Sequence, residues 1–313
     1  MTAIIYIGLM AAAFFVLAWS ADRFVAAAGG LALRLGMPML LVGLVIVGFG
    51  TSAPELLVSA LAALADNTGL AVGNAIGSNI ANIALILGLA ALVTPLVSAL
   101  GPIRTEYLTL LAATLLVIPL LLDGRLGRLE GLILAASLPA ILTWFVIRAQ
   151  RGEGPAPPDT PAPGPVGPTI TWLVISLCLL LVSAQMLVHS AASLARLVGV
   201  SDLVIGLSIV ALGTSLPELA TSVAAARRRQ FAMILGNILG SNLFNLLAVL
   251  GIAVLITPTR LEPQSLIRDY GMMTLLTLLL GMLLLRGGGI GRAAGMVLLV
   301  LYAGYQLLLF LLR

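Results

Sequence analysis

Apolar stretches long enough to cross a bilayer follow one another along this chain, separated by short polar links. A spanning helix needs about 20 mostly apolar residues. On that measure the pattern predicts ten spans: Ile4–Leu33, Met39–Leu64, Leu70–Val93, Arg104–Leu122, Leu126–Ile147, Thr169–Leu197, Leu203–Ala226, Phe231–Ile256, Ser265–Leu285 and Gly291–Leu312. Between the fifth and sixth lies RGEGPAPPDTPAPGPVGP, residues 151–168. Its prolines and polar residues predict an extended cytoplasmic link rather than a helix. The expectation is an all-α membrane protein with five helices in residues 1–150 and five in 169–313.

The polar positions inside the spans are not scattered. VGFGTSAPELLVSALAALADNTGLAVGNAIGSNIANIALILG begins at Val47, and VALGTSLPELATSVAAARRRQFAMILGNILGSNLFNLLAVLG begins at Val210. Thr51 matches Thr214, Ser52 matches Ser215, Glu55 matches Glu218, Ser78 matches Ser241 and Asn82 matches Asn245, always 163 residues apart. From Ser20 and Ser183 to Gly88 and Gly251 the halves align without a gap, with about 29 of about 69 positions identical. The chain is two copies of one unit. With five spans per copy, the second copy enters the membrane from the other side, so the repeats are inverted.

Composition agrees: 61% of the 313 residues are hydrophobic and 9% charged, against about 25% charged in soluble domains. The net charge of +4 comes from arginine, since lysine is absent. It belongs to membrane loops and gives no reason to expect nucleic acid as a partner. With the N-terminus outside, about ten arginines fall on the inner side and about six on the outer, and Arg227-Arg228-Arg229 is the sharpest inner marker. No basic stretch precedes the first apolar run, whose first charge is Asp22, so the first helix is expected to stay in place. Both termini are then expected outside, in a bacterial inner membrane, with the lipid bilayer as surroundings and a monomer as the expected state. Cys178 is the only cysteine, so no disulfide forms within the chain.

Of the 12 acidic residues, only Glu55 and Glu218 fall well inside predicted spans. A charge at that depth is costly and usually faces a cavity in which it binds something. The alternative is a pair of protonated carboxyls joining helices. Gly50 with Pro54, and Gly213 with Pro217, predict a helix break just before each glutamate. Carbonyls freed near Gly48 and Thr51, and near Ala211 and Thr214, would join the hydroxyls of Thr51, Ser52, Thr214 and Ser215 as oxygen ligands. Ser78 and Asn82 share a helix face, as do Ser241 and Asn245; their other reading is hydrogen bonding between helices. Gly73, Gly77, Gly236 and Gly240 are read as packing residues. His189 aligns with Ala26 and is read as a packing histidine, and Asp22 and Arg23 as a pair or as snorkelling ends. Oxygen ligands throughout suit Ca²⁺ and Na⁺ rather than Zn²⁺ or Cu⁺. No cofactor is called for.

The paired GTS-x-PEL and GN-x-x-GSN-x-x-N segments resemble the two alpha repeats of the sodium/calcium exchanger family. The resemblance spans the whole chain. It implies Glu55 and Glu218 as central Ca²⁺ ligands, with Thr51 and Thr214 adding carbonyl and hydroxyl oxygens and Ser52 and Ser215 lining the site. It implies flanking Na⁺ sites at Ser78, Ser241 and the carbonyls of Gly48 and Ala211. It also implies long first and sixth helices that slide across a rigid core. Some family members carry Asp where Asn245 stands. With amides at both Asn82 and Asn245, K⁺ dependence is not expected, and the proton-coupled branch's GNAPE pattern is absent. The expected function is Na⁺/Ca²⁺ antiport by alternating access. The alternatives are H⁺/Ca²⁺ or other cation antiport at the same glutamates, or a cation channel. An intramembrane enzyme lacks a nucleophile–base pair or zinc motif. The link is too short for a regulatory Ca²⁺-binding domain.

Overall fold

The computed structural model describes residues 2–96, 100–121, 124–153, 165–199, 211–260, 266–286 and 289–311. The first half contributes α1 (Thr2–Leu35), α2 (Met39–Thr51), α3 (Ala53–Leu64), α4 (Thr68–Val93), α5 (Leu100–Leu121) and α6 (Arg128–Gln150). The second contributes α7 (Val166–Leu197), α8 (Ala211–Thr214), α9 (Leu216–Arg227), α10 (Phe231–Ile256), α11 (Leu266–Leu285) and α12 (Arg292–Leu311). Among the described residues, eight helices are long and apolar enough to cross a membrane, and α2 with α3 makes a ninth, bent by 43°. The remaining predicted span, Leu203–Ala226, is described only from Ala211 on; residues 203–210 lie outside the described residues.

The Pro-rich link is shorter than the sequence suggests. Pro165 caps α7, which starts at Val166 and so takes in three residues assigned to the link. Pro168 sits in the first turn of α7, where a missing N–H is not needed. The rest of the link, residues 154–164, lies outside the described residues.

The bend between α2 and α3 falls on Ser52 (φ −82°, ψ 3°), and the break between α8 and α9 falls on Ser215 (φ −86°, ψ 6°). Pro54 and Pro217 then occupy the first turns of α3 and α9. Each proline lacks the N–H that would have continued the preceding helix.

α4 and α10 form the interior: 72% and 89% of their most apolar windows are buried, against 17% for α1 and 22% for α7. α2 crosses α10 with almost no side chain between them. A Cβ at Gly236 or Gly240 would run into the backbone of Leu40 or Leu44, and one at Gly43 into the Met233 carbonyl. Such approach suits a bilayer, where helices associate through close packing rather than by escaping water.

The halves grip each other reciprocally. Tyr107 of α5 donates its hydroxyl to the Thr277 carbonyl at 3.1 Å, and Tyr270 of α11 to the Thr114 carbonyl at 2.7 Å. Both tyrosines and both threonines are 163 residues apart, so the repeat runs on past Gly88 and Gly251. The links cross over as well. β1 (Arg125–Leu126) pairs antiparallel with β2 (Thr259–Arg260), and Leu96 bridges Ile290 through backbone bonds of 2.9 and 2.8 Å. The turns after α3 and α9 pass through Asp66 (φ 58°) and Arg229 (φ 55°), again equivalent positions.

Candidate functional site

Glu55 and Glu218 lie in the first turns of α3 and α9, immediately after the two breaks, and each is only 1% exposed. A helix start is a favourable place for a carboxylate, because its free N–H groups carry partial positive charge. The contacts at the breaks are exchanged between halves. Ser52 donates its hydroxyl to Glu218 Oε1 at 3.2 Å, and Ser215 donates to Glu55 Oε1 at 3.4 Å. The serine of one break thus holds the carboxylate of the other, and two acids far apart in sequence share one buried site. The second oxygens, Glu55 Oε2 and Glu218 Oε2, are buried without a protein partner. Buried carboxylate oxygens are expensive unless something donates to them or coordinates them.

Thr51 and Thr214 complete this centre. Thr51 Oγ1 lies 3.0 Å from the Val47 carbonyl, 3.4 Å from that of Gly48 and 3.4 Å from Asn237 Oδ1 of the other half. Thr214 Oγ1 lies 3.5 Å from Asn74 Oδ1. Asn74 donates to Ser59 Oγ at 2.9 Å and to the Glu55 carbonyl at 3.2 Å; Asn237 donates to Ser222 Oγ at 3.0 Å. Asn74, Asn237, Ser59 and Ser222 are not among the ligand candidates that the sequence pattern offers. The signal was present: all four are identical between the halves at the same spacing as the glutamates.

The remaining candidates lie on α4 and α10. Asn82 and Asn245 fall within π-helical turns, Ala81–Ile86 and Phe244–Val249, which occupy equivalent positions in the halves. A π turn adds a residue per hydrogen-bonded loop, shifts the side chains that follow and is frequent at functional sites. Asn82 donates to Asn242 Oδ1 at 3.0 Å while its own Oδ1 is unpartnered; both amide atoms of Asn245 and the Ser241 hydroxyl are buried and unpartnered. Ser78 is buried too. Among the described residues no hydrogen bond joins Ser78, Asn82, Ser241 or Asn245 to the carboxylates, so they form a flank rather than the centre.

Several expectations need correcting. The Gly48 carbonyl is not freed by the break, since it accepts the Ser52 amide at 3.0 Å. The proline at position 54 instead removes the N–H that the carbonyl four residues earlier, at Gly50, would have received. A carbonyl has two lone pairs, so Gly48 keeps one for another partner. Ala211 is the first residue of α8, beside residues outside the described set. Glu106, placed at a helix end by the sequence pattern, is a third buried carboxylate among the described residues, at 7% exposure, and α5 begins earlier than predicted. His189 is exposed on α7 and packs no interior. Asp22 pairs not with its neighbour but with Arg228, through bonds of 2.8 and 2.7 Å, while Arg23 lies over the Trp19 ring at 5.7 Å.

The chain is similar to known proteins along most of its length. The family model described as sodium/calcium exchanger protein matches residues 5–147 and 169–311. The chain is 42% identical over 308 residues to CaxA of Alkalimonas amylolytica, covering 94% of this chain and 95% of that protein. It is 37% identical over 303 residues to the inner membrane protein YrbG of Escherichia coli K12, covering 93% and 92%. Among solved structures it superposes on the sodium-calcium exchanger NCX_Mj, soaked with 2.5 mM Na⁺ and 1 mM Sr²⁺, with a TM-score of 0.85 and 31% identity over 96% of this chain and 97% of that one.

Proposed function

We propose, since this chain belongs to the sodium/calcium exchanger protein family, that it is a K⁺-independent antiporter exchanging Na⁺ for Ca²⁺ at the buried pair Glu55 and Glu218. The observation that carries the reading is the crossed arrangement of these acids. Each has one oxygen held by the other half's serine and one oxygen left without a protein partner. Two carboxylates match the charge of one Ca²⁺, and the surrounding donors are the hard oxygens that Ca²⁺ and Na⁺ prefer.

In this reading Thr51 and Thr214 give hydroxyl oxygens to the central cation, and Ser52 and Ser215 hold the carboxylates in place. Ser78, Ser241, Asn82, Asn245 and the carbonyls of Gly48 and Ala211 serve flanking Na⁺ positions. Na⁺ and Ca²⁺ compete for the same two acids. A site with neither would expose two uncompensated carboxylates during the crossing, which is costly in a low-dielectric surrounding. One ion therefore leaves only as the other replaces it, which makes transport an exchange. The inverted halves supply the two facing states, with both termini outside an inner membrane.

The test is ⁴⁵Ca²⁺ uptake into Na⁺-loaded proteoliposomes, with Na⁺, K⁺ and H⁺ gradients imposed one at a time. An outward Na⁺ gradient alone is expected to drive uptake, and added K⁺ to change nothing. Uptake driven by a proton gradient and indifferent to Na⁺ would move the reading to H⁺/Ca²⁺ exchange. Flux that needs no counter-ion and follows the Ca²⁺ gradient without saturating would favour a channel.

A further inference from the structure

A hydroxyl binds a cation through a lone pair on its oxygen, so its hydrogen has to be received elsewhere. Thr51 has one such hydrogen and three acceptors within reach: the Val47 and Gly48 carbonyls of its own helix, and Asn237 Oδ1 of the other half. The Gly48 carbonyl already takes the Ser52 amide. If it took the threonine hydrogen as well, no lone pair would remain for an ion. A hydrogen on Val47, the nearest acceptor at 3.0 Å, or on Asn237 at 3.4 Å leaves the threonine oxygen and the Gly48 carbonyl open together; of these two, only Asn237 ties the threonine to the other half.

Asn237 is fixed for that task. Its amide nitrogen donates to Ser222 of α9, which leaves Oδ1 directed at Thr51 of α2. The construction is repeated on the other side. Asn74 donates to Ser59 and to the Glu55 carbonyl of α3, and its Oδ1 faces Thr214 of α8. Each asparagine is anchored beside one half's glutamate helix and reaches the opposite half's threonine.

We propose that Asn74 and Asn237 are positioning residues of the cation site, each accepting the hydroxyl hydrogen of the threonine from the opposite repeat so that the threonine oxygen faces the ion. The proposal rests on the preceding reading that Thr51 and Thr214 present oxygen to Ca²⁺. It adds a pairing rule: Asn237 acts through Thr51 and not Thr214, and Asn74 through Thr214 and not Thr51.

The experiment is equilibrium binding of ⁴⁵Ca²⁺ to purified full-length protein in two double-mutant cycles. Asn237→Leu, which keeps the bulk and removes the acceptor, is expected to weaken binding about tenfold, as loss of a partner behind a metal ligand commonly does. Combined with Thr51→Val it should weaken binding no further than the worse single change, since both remove the same interaction. Combined with Thr214→Val the two effects should multiply. In a Thr51→Ser background, which retains the hydroxyl, Asn237→Leu should again cost about tenfold. Multiplying effects in the Asn237/Thr51 cycle, or equal coupling in both cycles, would overturn the proposal. Unchanged binding in Thr51→Val alone would instead remove the threonine from the ligand set, a failure of the earlier reading visible without any asparagine change. If Asn237→Leu does not give monodisperse protein, Asn74→Leu with Thr214→Val makes the same measurement from the other half.

Discussion

The interior of this molecule and the rim where α1 meets the end of α9 treat the internal repeat in opposite ways. At the interior many contacts are copied from half to half: Ser52 to Glu218 and Ser215 to Glu55, Thr51 to Asn237 and Thr214 to Asn74, Tyr107 to Thr277 and Tyr270 to Thr114; the Asn82–Asn242 bond of the flank is not. At the rim the copy fails. Asp22 of α1 forms a two-bonded ion pair with Arg228 at the end of α9, but the equivalent positions hold Gln185 and Ala65, which cannot pair as ions. Gln230 is pressed against Gly29, whereas its counterpart Asn67 caps α4 through the Leu70 amide at 3.3 Å. In an inverted repeat, exchanging the conformations of the halves produces the opposite facing state. In the proposed exchange, the copied contacts around Glu55 and Glu218 would show an ion the same groups from either side. An asymmetric rim gives the two facing states different energies.

The strongest attack on the symmetric part is Glu55→Gln or Glu218→Gln. Each should abolish ⁴⁵Ca²⁺ exchange, a loss of at least ~100-fold given that each removes one of two charges opposing a divalent ion, while the protein stays monodisperse. The two losses should be alike. Substantial flux through either variant would remove the central claim.

Asn245→Asp breaks the neutrality of the flank. It adds a third ionisable oxygen beside a pair of acids, so a proton there competes with the cations. Exchange by the variant should fall more steeply than the parent's as pH drops, by roughly tenfold per unit once the added group governs binding. Flux across a pH series, with and without K⁺, checks this. Identical profiles would mean that the position does not reach the ions.

The tyrosine clasps offer a smaller and strictly paired effect. Tyr107→Phe and Tyr270→Phe each delete one hydroxyl bond to a buried carbonyl, worth about 1 kcal/mol, and the two losses in thermal stability should agree. A large difference between them would show that the symmetry of α5 and α11 is geometric only.

The rim predicts the smallest change. The carboxylate and guanidinium of the Asp22–Arg228 pair are 49% and 37% exposed, so about 0.5 kcal/mol is a fair worth after solvent screening. Asp22→Asn or Arg228→Gln should alter the ratio of apparent Ca²⁺ affinities at the two faces of oriented vesicles by about two- to threefold, with Glu55 and Glu218 untouched. Equal shifts at both faces would mean that the pair does not distinguish the facing states.

What the sequence disclosed and what it concealed follow from the same repeat. Identity at a fixed spacing singles out Thr51, Ser52, Glu55, Ser78 and Asn82 with their counterparts; Asn74 and Asn237 carry the same identity but, as neutral amides beside packing glycines, do not stand out from them. Identity does not say which half each residue serves. The exchange of partners between Ser52 and Ser215, and between Thr51 and Thr214, comes from how the halves pack, and hydropathy carries no trace of it. Asp22 met a partner 206 residues away, which no local pattern of charge announces. Glu106 was misplaced because polar residues at Arg104 and Glu106 imitate a helix end. The π turns around Asn82 and Asn245 are silent as well, since their residues are as apolar as ordinary helix.

The crossed links bear on how the molecule is made. Leu96, which follows α4, takes its backbone partner from Ile290, just ahead of α12. Leu126, ahead of α6, takes its partner from Thr259, just past α10. A ribosome delivers the amino-terminal half first, yet that half holds strand edges whose complements are still unsynthesised. Until the last hairpin arrives, those edges stay open to any passing backbone. Delivery of residue 290 therefore closes the assembly much as a zip's slider does, because neither half can complete these links alone.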